Sequence, residues 1–205
     1  MSAHAASAGH EASASHSASA YHESLLRSPV FLGMVMFIGS EIMLFASFFT
    51  AFFFVRFTHT HYPFGDFEIP TDSTAINTAI LISSSFTMHW ALVSVRYNRR
   101  FGLVVGLGVT LFLGLTFLAL QMHEYHALGF VPSDGAFPST FFALTGLHGL
   151  HVIGGMIVNG YFLGPGAKMF KTQPERFTNR VEVAGLYWHF VDLVWIFLFP
   201  TLYLL

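Results

Sequence analysis

The sequence predicts an all-helical integral membrane bundle of five transmembrane helices, and three observations carry that expectation. Of 205 residues, 54% are hydrophobic and only 10% are charged, whereas an average soluble domain carries roughly a quarter charged residues. The apolar residues fall in five long runs, each near the roughly 20 residues that a helix needs to cross a hydrocarbon core. Short segments rich in Pro, Gly, Asp and Arg separate the runs. Runs of this length without strict alternation exclude a closed barrel, the other structure that satisfies backbone groups in lipid.

Residues 1–27 are Ala, Ser and His with almost no large apolar side chain before Tyr21. Such a stretch cannot pack a core, and it lacks the apolar run of a secretory signal, so a disordered cytoplasmic tail is expected. His4, His10, His16 and His22 recur every sixth residue, a period of neither helix nor strand, which favours a solvated tail over weak metal capture. The membrane domain is expected over 28–205. Its first helix covers about 29–57, with Ser28 as cap and Pro29 in the first turn, where a missing N–H costs nothing. Pro63, Gly65, Pro70 and Asp72 then break the chain. The later helices are expected at about 73–96, 101–122, 137–163 and 181–204. Gly102, Gly106, Thr110 and Gly114 recur every fourth residue on the third helix, a row that lets backbones approach closely. Gly160 and Gly164 close the fourth helix, and Gly33, Ser40 and Ser47, seven apart, suggest a second seam beside Glu41.

The cations set an orientation. Arg27, Arg96, Arg99, Arg100, Lys168, Lys171, Arg176 and Arg180 fall on one side of five alternating spans and only Arg56 on the other, so the amino terminus is expected in the cytoplasm and the carboxy terminus outside. Asp66, Glu68, Asp72, Glu124 and Asp134 fall on the outer side. A net charge of −2 gives no cationic cluster for a nucleic-acid backbone. With no Cys, thiolate metal sites, disulfides and cysteine-ligated clusters are excluded.

Polar groups inside the spans are the candidates for function, because an ionisable side chain at mid-bilayer is costly unless it neutralises, pairs or faces protein. Glu41 lies about a dozen residues into the first helix, too deep to reach the interface. His148 and His151 are three apart on the fourth helix, and His189 and Asp192 three apart on the fifth, so each pair shares a helical face. His89 lies nearer the cytoplasmic end of the second helix, and His123, Glu124, Tyr125 and His126 mark the outer end of the third. Three readings remain open on the residues alone. A metal or haem site could use His148, His151 and His189, although the His boxes of membrane di-iron enzymes and the four axial His of a two-haem cytochrome are missing. A transporter could use Glu41, Asp192 and the histidines as a proton or ion relay, although no inverted repeat or broken helix is visible. The third reading, favoured by composition, is that these groups hydrogen-bond between helices or to another protein. No phosphate loop or nucleophile elbow occurs.

Two strings go beyond generic packing. Gly146, Leu147, His148, Gly149, Leu150, His151, Val152, Ile153 and Gly154, and then Tyr187, Trp188, His189, Phe190, Val191, Asp192, Leu193, Val194 and Trp195, resemble subunit III of the haem-copper cytochrome c oxidases. The resemblance extends to Gly39 through Phe45 with its acid, to Asn77 and Thr78, to Gln121, Glu124 and Tyr125, and to Ser133, Asp134 and Gly135 followed by Ser139, Thr140, Phe141 and Phe142. It covers nearly all of the chain after the tail, in order.

The resemblance implies a non-catalytic subunit of an oxygen-reducing, proton-pumping terminal oxidase in the bacterial cytoplasmic membrane. Such a subunit holds no metal or cofactor of its own, packs against subunit I beside subunit II and small subunits, and leaves haem and copper to its partners. It implies a phospholipid-filled cleft that aids oxygen access, protects subunit I during turnover and sustains proton uptake. Glu41 matches the family's buried acid. By the same carry-over His148, His151, His189 and Asp192 form an interior network tying the fourth and fifth helices together, and Arg27, Glu68 and His89 are candidate lipid contacts. Many members have seven helices, of which this chain matches the last five, so a partner is expected to supply one wall of the cleft. Phe31 stands where many members carry a basic residue, and Arg27, one turn earlier, is placed to substitute. Glu at 41 and Tyr187 before Trp188 look like the cytochrome c branch, with a quinol oxidase as the alternative.

Overall fold

The computed structural model describes residues 28–58 and 71–204. The Ala/Ser/His-rich stretch, Arg27 and the segment with Pro63, Gly65, Asp66 and Glu68 lie outside the described residues. Five long helices follow one another: α1 Pro29–Thr58, α2 Thr71–Arg96, α3 Arg100–Ala127, α4 Ala136–Leu163 and α5 Pro174–Phe199. All five are long and apolar enough to cross a membrane, and no strand occurs among the described residues. At about 1.5 Å per residue each reaches roughly 40 Å, enough for a hydrocarbon core with some tilt.

Two helices outrun their apolar segments. Against an expected end near 122, α3 continues to Ala127 and carries His123, Glu124, Tyr125 and His126 in its last turns. Against an expected start near 181, α5 begins at Pro174, whose missing N–H suits a first turn. Its opening turns hold Glu175, Arg176, Asn179 and Arg180, polar residues that belong at a membrane surface, so hydropathy alone hides them. At the other end, Pro200 cannot donate to the helical ladder, and the chain closes in a π-helical turn, Pro200–Leu204.

The connections explain the order of packing. Between α2 and α3, Asn98 takes a left-handed φ of 54°, with its N–H on the Val95 carbonyl and the Arg99 N–H on the Ser94 carbonyl at 2.8 Å. This paired capping pattern ends α2 and reverses the chain at once, so α2 and α3 lie side by side. Gly102, Gly106, Thr110 and Gly114 are all buried. A Cβ on Gly106 would lie 2.8 Å from that of Ala91, and Thr110 and Thr87 share a 2.8 Å hydrogen bond across the same seam. Between α3 and α4, a 3-10 turn at Pro132–Asp134 is closed by the Val131 N–H donating to Asp134 Oδ2 at 2.7 Å. Gly135 follows with φ 151°, a conformation that favours glycine.

The core sits around α5, which packs on α2, α4 and α1. Trp188, Trp195, Phe117, Phe137, Phe141 and Leu198 are fully buried. The α1 helix lies outermost, against α4 and α5, and buries only Phe45 and Phe52. The expected seam of Gly33, Ser40 and Ser47 does not form among the described residues: all three are exposed, nothing approaches a Cβ on Gly33, and both serines bond carbonyls of their own helix. A seven-residue spacing keeps residues on one face without saying that the face turns inward.

Candidate functional site

The four interior groups expected to link the fourth and fifth helices are distributed over three places. His151 reaches α1: its Nε2 lies 2.9 Å from Glu41 Oε2, and its Nδ1 lies 2.8 Å from the Leu147 carbonyl. A carbonyl only accepts, so Nδ1 carries a hydrogen. A single proton then lies between Nε2 and the Glu41 carboxyl, and the pair is neutral overall wherever on that line it resides. That neutrality is what permits a carboxyl at this depth. The His151 and Glu41 side chains are 11% and 14% exposed, with the Phe45 ring 5.1 Å from the imidazole and the Tyr187 ring stacked on it at 6.4 Å. The hydrogen bond that does join α4 to α5 comes from a residue to which the sequence assigns no such part: the Tyr187 hydroxyl donates to the His151 carbonyl at 3.2 Å.

His189 and Asp192 face α2 instead. Ser85 Oγ lies 3.0 Å from His189 Nδ1 and donates to Asp192 Oδ2 at 2.5 Å. Asp192 is buried, and its Oδ1 meets no polar partner among the described residues. Sequence alone does not single out Ser85, because a serine in an apolar helix normally bonds its own backbone, as Ser84 does to the Leu81 carbonyl. The Ser83-Ser84-Ser85 run in an apolar span is the signal that points toward it.

His148 joins neither pair. It is fully buried, tilted against Trp195 with ring centroids 4.8 Å apart, and edge-on to Phe117 at 5.7 Å. Neither ring nitrogen has a hydrogen-bond partner among the described residues. The spacing of three that puts His148 and His151 on one side of α4 still rotates them about 60° apart, enough to face different neighbours. His148, His151 and His189 therefore do not converge, and among the described residues no three His, Asp or Glu groups are placed to share a metal ion.

Other polar groups bind helices at each level. Trp188 Nε1 donates to Ser84 Oγ at 3.0 Å and Trp195 Nε1 to Thr78 Oγ1 at 2.9 Å, both from α5 to α2. Near the α3 terminus the Tyr203 hydroxyl donates to buried Glu124 at 2.7 Å, and the Tyr125 hydroxyl to Thr145 at 2.7 Å. At the opposite end Arg96 Nε donates to Glu182 Oε1 at 2.6 Å. That contact brings the α2–α3 turn and the start of α5 to one end of the bundle, so the two cationic connections lie together. Glu182 is inconspicuous in the sequence, because it lies at the border between the polar opening turns of α5 and its apolar run. His89 is exposed on the outer face of α2, while Arg27 and Glu68 lie outside the described residues.

Beside the Glu41 pair runs an open apolar groove of about 560 Å³ between α1 and α5, walled by Phe45, Phe49 and Phe53 on one side and Phe190, Leu193 and Phe197 on the other. Its size and lining suit acyl chains.

Comparison with known proteins gives a consistent result. The family described as cytochrome c oxidase subunit III matches residues 8–205. Proteins called cytochrome c oxidase subunit 3 are similar to the chain: that of Loxodonta africana is 38% identical over 183 residues, covering 83% of this chain and 67% of its own. Those of Cyprinus carpio and Xenopus laevis are 38% and 37% identical over 182 residues, with the same coverage. The chain thus spans about two thirds of the length of these relatives.

Proposed function

The chain belongs to the cytochrome c oxidase subunit III family, and from that premise we propose that it is the non-catalytic third subunit of a proton-pumping terminal oxidase. In this reading it stands in a bacterial cytoplasmic membrane, packed against subunit I, and the haem and copper that reduce oxygen belong to its partners. The observation that carries the reading is that two pairs of membrane-embedded carboxyls and imidazoles are spent between helices, Glu41 on His151 and Asp192 with His189 on Ser85, while His148 is enclosed by the Trp195 and Phe117 rings. Groups used in this way hold a scaffold together. The α1–α5 groove, with Glu41 beside it, supplies a wall for phospholipid and for apolar oxygen on its way to the neighbouring subunit.

The test is Glu41→Gln in the intact complex. Gln is nearly the same size, and its amide N–H can donate to a bare His151 Nε2, so α1 stays docked and the subunit assembles. The proton held between the two side chains is lost. The expected result is normal initial oxygen consumption with a functional lifetime during turnover shortened a few-fold. An unchanged lifetime in a fully assembled complex would reject the protective role. An apolar carbodiimide is expected to modify Glu41 in wild-type complex and not in the variant, by mass analysis of the subunit.

A further inference from the structure

The geometry at Ser85 points to a second proton-binding site. We propose that Ser85 and His189 form a hydrogen-bonded relay through which the buried Asp192 carboxyl exchanges a proton with the α2–α5 face of the bundle, at a site separate from Glu41. The polarity of the chain is dictated by one hydroxyl proton. When Ser85 donates to an ionised Asp192, as the 2.5 Å contact to Oδ2 allows, the Ser85 oxygen can only accept from His189, so Nδ1 carries the ring hydrogen and Nε2 is bare. A proton arriving at Nε2 makes the imidazolium. Nδ1–H then passes its proton to Ser85 Oγ as the Ser85 hydroxyl passes its own to Asp192 Oδ2. His189 and Ser85 each gain and lose one bond to hydrogen, Asp192 gains one, and the result is a neutral Asp192 with His189 in the opposite tautomer. The reverse sequence empties the site.

Position agrees with this direction of entry. Asp192 is 4% exposed and reaches no other polar group among the described residues, its Oδ1 being unpartnered. It is therefore an end point, a store and not a channel. His189 is only partly buried, and its Nε2 is neither hydrogen-bonded nor enclosed among the described residues. His89, one turn from Ser85 on α2, is exposed and close enough to act electrostatically on His189. It stands between the relay and Arg96 at the cationic end, about 10 Å further along the helix. The remaining titratable groups on elements packed against α5 here are His148, enclosed by rings, and His151 with Glu41, which satisfy each other. The linkage is not that of a hydrolytic triad, because the acid contacts the hydroxyl and not the imidazole.

The experiment is infrared difference spectroscopy of the assembled oxidase through a pH titration in H2O and D2O. A carbonyl band of a protonated carboxylic acid is expected that disappears in Asp192→Asn. In Ser85→Ala the same band shifts, because the carboxyl has lost its hydroxyl partner, which identifies it even where Asp192→Asn fails to assemble. The deciding readout is how fast that band responds to D2O. Exchange should slow by roughly 10²-fold in Ser85→Ala and in His189→Phe, the lower end of what a positioned proton-transfer group contributes, and Ser85→Thr should restore it. A purely bracing role moves stability and leaves the exchange rate alone. The proposal is overturned if no band responds to either Asp192→Asn or Ser85→Ala, or if Ser85→Ala exchanges as fast as wild type. Neither result bears on the turnover lifetime of Glu41→Gln, so the two readings fail separately.

Discussion

A Cβ built on Gly106 would stand 2.8 Å from the Ala91 Cβ and 3.0 Å from its backbone, and one on Gly155 would meet the Trp188 ring at 2.8 Å. Backbone cannot step aside as a flexible side chain can. Gly106→Ala is therefore expected to destabilise the α2–α3 pair by about 1–3 kcal/mol, the usual cost of forcing extra volume into a packed contact. Gly108→Ala, two residues on with open space around it, should be neutral. Thermal unfolding of the purified complex, followed by loss of this subunit, separates the two variants. The Gly102, Gly106, Thr110 and Gly114 row was legible in the sequence because small residues at every fourth position mark a line along which two helices can touch backbone to backbone. The Gly33, Ser40 and Ser47 pattern looks equally regular and faces outward. Lipid is as apolar as a protein interior, so in a membrane the hydrophobic pattern does not reveal which side of a helix is packed. For the same reason the residues Glu41, His148, His151, His189 and Asp192 were visible as oddities, while the pairing of Glu41 with His151 and the part of Ser85 were not. Ser85 carries nothing in its type to distinguish it from its two serine neighbours.

At the scale of elements the contrast lies between α5 and α1. The former is sewn to α2 by Trp188, Trp195, His189 and Asp192. In its middle, α1 has the Glu41–His151 bond and the burial of Phe45 and Phe52. A double-mutant cycle with Glu41→Leu and His151→Leu should give a coupling between about 0.6 and about 1.7 kcal/mol, the average and the maximum of such measurements between membrane helices. Each single variant should cost more than that, because it strands one polar partner in an apolar place. Retention of α1 against the bundle, read by cross-linking across the α1–α5 groove in mild detergent, reports the result. Helix number and order were legible from run length. Helix ends were not, since the first turns of α5 and the last of α3 are polar and helical at once.

For the whole molecule, the Arg96–Glu182 contact gathers Arg96, Arg99, Arg100, Lys168, Lys171, Arg176 and Arg180 toward one end. Membrane topology follows the side that keeps such cations, so this end is expected to face the cytoplasm. The chain has no Cys, which makes the measurement clean. Single variants Lys171→Cys and Ser133→Cys, both at exposed positions in opposite connections, should behave oppositely toward a membrane-impermeant maleimide. Ser133→Cys is labelled from the outer side of intact membranes, and Lys171→Cys only after permeabilisation. The reverse pattern would invert the orientation.

The separation between Glu41 and His151 also has a bearing on biogenesis. The two lie 110 residues apart in the chain, and α1 packs chiefly on α4 and α5, the last spans to be made. At about 5–20 residues per second, α1 leaves the ribosome on the order of ten seconds before the imidazole that receives its carboxyl has been synthesised. Its seat is completed only once α4 and α5 exist, and until then its acid is without the imidazole.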